Sequence, residues 1–131
     1  METPQKTPAE LFAAQALASQ VKKELTENIL PYWMGKMINP DGGFYGRIDG
    51  LENLDPESPV GNIMTARMLW TFASAYRLLG NQEYLDMALR AKDFIISNFY
   101  DPELGGTYWS LSSAGTPLDT KKQIYAIAFT I

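Results

Sequence analysis

The chain has 131 residues, 46% of them apolar and 20% charged, a net charge of −4, and neither cysteine nor histidine. Such a composition suits one globular domain rather than a disordered segment, and negative charge without a basic run argues against nucleic acid or an anionic membrane surface as partner. Lack of cysteine excludes disulfides, thiolate nucleophiles and zinc–thiolate sites, while lack of histidine leaves proton transfer near neutral pH to carboxylates, Tyr or Lys, or to histidines from outside this chain.

Residues 1–7 are polar and read as a flexible N-terminal arm. Pro8 suits the first turn of a helix. From Glu10 to Met37, Leu11, Ala14, Leu17, Val21, Leu25, Ile29 and Trp33 recur at steps of three and four, an amphipathic stripe with Pro31 as a kink or boundary. The Leu11–Ala18 run resembles a secretory leader, but Glu2 and Glu10 against Lys6 deny it the positive n-region. The expected compartment is the cytoplasm. No apolar run approaches the ~20 residues that span a bilayer.

Asn39–Gly50 reads as a hairpin: Pro40-Asp41-Gly42-Gly43 supplies the turn, Phe44–Ile48 has strand character, and Asp49-Gly50 turns back. Leu51–Pro59 reads as a polar loop. A second helix is expected from about Val60 to Leu79, closed by Gly80, and a third from about Gln82 to Asn98. Asp101–Gly115 forms a second hairpin. A final helix is expected from Pro117-Leu118-Asp119, capped by Asp119. Its stripe of Ile124, Ile127, Ala128 and Ile131 meets no stop signal, so the sequence is expected to continue beyond Ile131.

The two hairpins carry one signature, Gly42-Gly43-Phe44-Tyr45 and Gly105-Gly106-Thr107-Tyr108, offset by 63 residues. Self-similarity at a fixed period marks an array whose units bury their apolar faces only against neighbours. The unit is a helix, a small hairpin and a helix, and the chain holds about two.

Gly42–Gly46, Asn62–Trp70 and Ala75–Gly80, with Gly105–Trp109 and Asp119–Phe129, resemble the N-acylglucosamine 2-epimerase and cellobiose 2-epimerase family over roughly residues 20–131, the cellobiose branch most of all. The resemblance implies an all-α fold with short β-hairpins: a partial (α/α) toroid, residues 8–131 supplying about two of six helix–hairpin–helix repeats at its N-terminal end. It implies a sugar 2-epimerase that opens the ring, removes the C2 proton and returns it through an enediolate. Two histidine bases lie on later helices of the family, so a chain without histidine corresponds to its first third and is expected to be inactive alone.

On the same resemblance Arg67 is the candidate catalytic and substrate-binding residue, and Tyr125 a second substrate-binding residue. The physical rationale for Arg67 stands apart: a guanidinium stays charged and can hold a developing oxyanion. Among Met64, Met68, Leu69 and Trp70 it is also costly to leave unpaired. The bland alternative is a snorkelling or ion-paired arginine, and for Tyr125 an ordinary packing aromatic. Gln123 and Lys122 flank Tyr125 without a case for either. Trp109 and Tyr45 can stack on a sugar, though hairpin positions favour packing. Asp41, Asp49, Asp55, Asp101, Glu103 and Asp119 invite a glycosidase reading, which needs two carboxyls ~5–9.5 Å apart, but most sit where turns or caps use them. No metal or cofactor is implied. The expected partners are a mono- or disaccharide, with homo-oligomerisation possible through the open toroid edge. The competing function is a non-catalytic helical carbohydrate-binding or interaction module that self-associates.

Overall fold

A computed structural model describes residues 7–131, and the chain divides into two compact units between Lys36 and Met37. The expected flexible arm lies outside the described residues except for Thr7, which is the N-cap of α1 (Pro8–Glu24). Thr7 and Glu10 form a capping box: the Glu10 amide donates to Thr7 Oγ1 at 3.3 Å and the Thr7 amide to Glu10 Oε2 at 2.7 Å. Two orphan amides of the first turn are thereby satisfied. The Thr7 backbone N–H also holds the Glu10 carboxyl below its usual range.

The single helix expected over Glu10–Met37 is interrupted. Leu25–Ile29 forms a π-helical turn, with the Leu30 amide reaching back to the Leu25 carbonyl, and α2 (Leu30–Lys36) follows. In an unbroken α-helix the Pro31 ring would clash with the carbonyl four residues earlier, and the widened turn sits where that clash would fall. The apolar stripe is helical as read, but no α1 side chain is buried.

In the second unit, α3 (Asn62–Leu79) and α4 (Gln82–Phe94) pack along each other. Gly80 is left-handed (φ 73°) and its amide bonds Tyr76 O at 2.8 Å, as the sequence predicts for a helix stop. Asn81 then caps α4 by accepting the Glu83 amide at 3.0 Å. The third helix ends in a π-helical turn, Ile95–Phe99, rather than running evenly to Asn98. That turn carries Ile95 and Phe99 into a core with Val60, Ala66 and Leu111, where Phe94 meets Phe99 edge-to-face at 5.8 Å. Phe44 and Phe72 are also fully buried.

The repeat is visible in the hydrogen bonds. In the first hairpin the Asn39 amide donates to Gly43 O and the Tyr45 amide to Met37 O; in the second, Asp101 donates to Gly106 O and Tyr108 to Phe99 O. The second turn is one residue longer, Leu104 being the addition. Gly43 has φ 60°, and a Cβ there would lie 2.6 Å from the Phe94 ring, so both backbone and space demand glycine.

The strands differ from the expectation. Only Arg47–Ile48 forms a strand (β1), paired with Leu54–Asp55 (β2) inside the segment read as loop. Val60–Gly61 is β3 rather than the start of α3, and it pairs with Ser110–Leu111 (β4). The segment from Pro117 is not helical: Pro117–Asp119 is β5, paired to β4. The last helix, α5, spans only Ile124–Ala128, and its N-cap is Gln123, without a side-chain bond. Asp119 is therefore no cap. Its backbone is committed to the sheet, and its carboxylate accepts the Lys121 amide at 3.1 Å and pairs with Lys121 Nζ at 2.9 Å.

Candidate functional site

Arg67 lies on α3 one position before Met68, whose neighbours Ala66, Phe72 and Ala75 are buried with it. Three and four residues on, Trp70 and Thr71 share its face of the helix. Arg67 is exposed, which corrects the expectation of a costly charge among apolar side chains. Met64 and Leu69 are half-buried against the core, and Trp70 is 72% exposed. The helix turns its apolar stripe inward and leaves the guanidinium at the rim of a cavity of about 550 Å³, shared with Trp70, Thr71, Phe129 and Ile131.

Across that cavity stands the chain after α5. The Arg67 guanidinium carbon lies 4.8 Å from the centroid of the Phe129 ring, a cation–π contact. Phe129 in turn meets Tyr125 edge-to-face at 5.1 Å. Tyr125 does not line the Arg67 cavity; the two candidates are linked through Phe129, a residue the sequence did not single out. Tyr125 is 60% exposed, one helical turn from Phe129. The expected stripe of the final helix is not its buried face: Ile124 and Ile131 are exposed and Ala126 is the buried residue.

Side chains from other segments hold the start of this helix. Asn62, buried at the first turn of α3, donates from Nδ2 to Thr107 Oγ1 at 2.8 Å and to the Ala126 carbonyl at 3.5 Å, while its Oδ1 is buried without a partner. Lys122 Nζ donates to Asp101 Oδ2 at 2.7 Å and to the Gly105 carbonyl at 2.5 Å, and it lies 5.1 Å from the Tyr108 ring centroid. The other Asp101 oxygen accepts the Glu103 and Leu104 amides. The Lys122 bond first, then the turn amides, hold the Asp101 carboxyl down at about 2. No sequence signal links Lys122 to an acid 21 residues earlier.

The remaining candidates have local partners. Asp49 accepts the Leu51 and Asn53 amides, each at 2.8 Å, and Asp55 accepts the Glu57 amide at 3.2 Å. With Asp101 and Asp119, they hold turns rather than form an acid/base pair. Trp109 carries Lys121 Nζ 4.8 Å from its centroid, and Tyr45 is half-buried in the first hairpin. Neither reaches the Arg67 cavity's lining. Among the described residues no cluster of three acidic, His or Cys side chains could hold a metal ion, and no helix is long and apolar enough to cross a membrane. Chemically, a fixed guanidinium beside aromatic faces can bind a polyol and hold negative charge developing on an oxygen.

Known proteins resemble this chain in sequence and fold. The cellobiose 2-epimerase of Bacteroides fragilis is 58% identical over 118 residues, covering 89% of this chain and 30% of that protein. The cellobiose 2-epimerase of Ruminococcus albus is 43% identical, with 88% and 30% covered. The solved cellobiose 2-epimerase of Spirochaeta thermophila superposes with a TM-score of 0.85 at 37% identity, over 96% of this chain and 30% of that structure. The chain thus spans about 30% of the length of the relatives it matches, and its helix–hairpin–helix repeats are those of the α/α toroid. With residues 43–131 matching the family profile, the chain belongs to the N-acylglucosamine 2-epimerase (GlcNAc 2-epimerase) family.

Proposed function

We propose that this chain supplies the cation-bearing part of a sugar 2-epimerase acting on a mono- or disaccharide, cellobiose-like by the names of its relatives. The reaction is proton abstraction at C2 of the open-chain sugar, through an enediolate, with return of the proton to the other face. Arg67 binds the sugar oxygens and stabilises the enediolate charge, and Tyr125 lines the substrate side. The single observation carrying this reading is the Arg67 guanidinium set against Phe129 at the cavity rim, 4.8 Å from the ring. An enediolate needs a fixed positive charge more than any other group, because its negative charge develops on oxygen. The bases come from outside these residues, since the chain has no histidine. Its cysteine-free composition fits a reducing compartment, and we assign it to the cytoplasm.

The test is a chimera in which this chain replaces the matching segment of the B. fragilis enzyme. The chimera should epimerise cellobiose, and Arg67→Ala should lower its turnover about 10²–10³-fold, the usual loss when an oxyanion donor is removed. Near-unchanged turnover would refute the role of Arg67. The 131-residue chain alone should show no C2 deuterium exchange on cellobiose by NMR. An inactive chimera beside sugar binding by the isolated chain would favour a non-catalytic carbohydrate-binding module.

A further inference from the structure

Resting on the reading of Arg67 and Tyr125 above, we propose that Lys122 is a positioning residue: by gripping the second hairpin it fixes α5 and so sets Phe129, with Tyr125 packed on it, against Arg67. Lys122 lies just before α5 and reaches two acceptors of that hairpin, the Asp101 carboxylate and the Gly105 carbonyl. Asp101 is a firm anchor. Its side chain is 8% exposed, its Oδ1 is fixed by two turn amides, and its backbone is closed by the Gly105 and Gly106 bonds.

Beside the grip, Ile127 packs on the same turn: a Cβ on Gly106 would lie 3.3 Å from Ile127 Cδ1 and 3.7 Å from Lys122 Cδ. Lys122 and Ile127 thus both pack over Gly106, and Tyr125 lies between them in sequence. These contacts and the Asn62 bond to Ala126 tie the start of α5 to the second hairpin and to α3.

The first repeat carries the same device. Arg90 of α4 donates from Nε to the Gly43 carbonyl at 2.8 Å and from Nη2 to the Asn39 carbonyl, and Phe94, one turn later, packs on Gly43. In both repeats a cation followed by an apolar side chain grips the glycine turn of a hairpin. In the first repeat the gripped helix is α4, packed along α3, whereas in the second it is α5, which carries Tyr125 and leads into Phe129. The grip is thus structural at Arg90 and site-determining at Lys122.

The test uses the 131-residue chain and NMR, with no dependence on activity. In the wild type the Arg67 side-chain resonances should be displaced upfield by the Phe129 ring current relative to exposed Arg77, with an Arg67–Phe129 NOE. In Lys122→Met both signatures should be lost while α3 and α4 amide shifts persist; in Lys122→Arg they should be kept. Asp101→Asn, which keeps the turn acceptor and removes the charge, should weaken them and covers the case in which Lys122→Met does not fold. An Arg67–Phe129 contact of undiminished strength in either Lys122→Met or Asp101→Asn would overturn the proposal, even with a lower melting temperature, because a merely stabilising pair would behave that way. Failure of the Arg67→Ala chimera test leaves this readout unchanged, so the two readings fail separately.

Discussion

Replacing Gly46 by alanine tests how tightly the first hairpin is locked to the sheet. A Cβ on Gly46 would lie 2.0 Å from the Pro59 carbonyl oxygen, 2.7 Å from its carbon and 2.8 Å from the Ser58 oxygen. All three are backbone atoms, so no rotamer change relieves the clash. Restoring ordinary contact requires opening by about 1.4 Å, and Pro59 directly precedes Val60, which is 1% exposed and paired with Leu111. Movement there disturbs the core of Val60, Ile95, Phe99 and Leu111. Overpacking typically costs about 1–3 kcal/mol; a backbone-to-backbone clash belongs in the upper half of that range. Gly50 is the control, with nothing within 4 Å of its Cβ position. Its alanine variant should be neutral or stabilising by about 0.4–1 kcal/mol through the unfolded chain. In thermal melts followed by circular dichroism, 1 kcal/mol corresponds to roughly 4 °C for a chain of this size. Gly46→Ala should therefore melt about 8–12 °C below wild type and Gly50→Ala at or above it. Equal melting temperatures for the two variants would refute the steric reasoning.

Two further outcomes follow from the core and the Lys122 pair. Phe99→Ala, at a fully buried site, should destabilise by about 3–5 kcal/mol in denaturant titration; a loss below about 1 kcal/mol would mean that Phe99 is not a core residue. The folded Asp101 carboxyl titrates at about 2 against its ordinary 3.8, so its contribution is fully present above about 4 and disappears as pH falls through about 2. Melting temperature against pH should therefore fall less steeply over that window for Asp101→Asn than for wild type, and parallel curves would count against the pair.

The sequence by itself determined what is local. Three-to-four-residue periodicity set the helices, Gly80 its stop, and the doubled Gly-Gly turn the repeat, because each is decided by backbone preferences within a few residues. The resemblance carried by Arg67 and Tyr125 was likewise legible in runs of adjacent residues. Tertiary structure decided everything that needs a distant partner. Strands of two or three residues have no periodicity to read, and β3 exists because Leu111 pairs with Val60. Pro117–Asp119 joins that sheet through β4, which overrides the capping signal at Asp119 and moves the start of α5 to Ile124. The exposure of Arg67, its contact with Phe129 and the grip of Lys122 on Asp101 arise only when separate segments are packed together. A charged side chain's partner is set by that packing, and nothing in the spacing of residues along the chain encodes it.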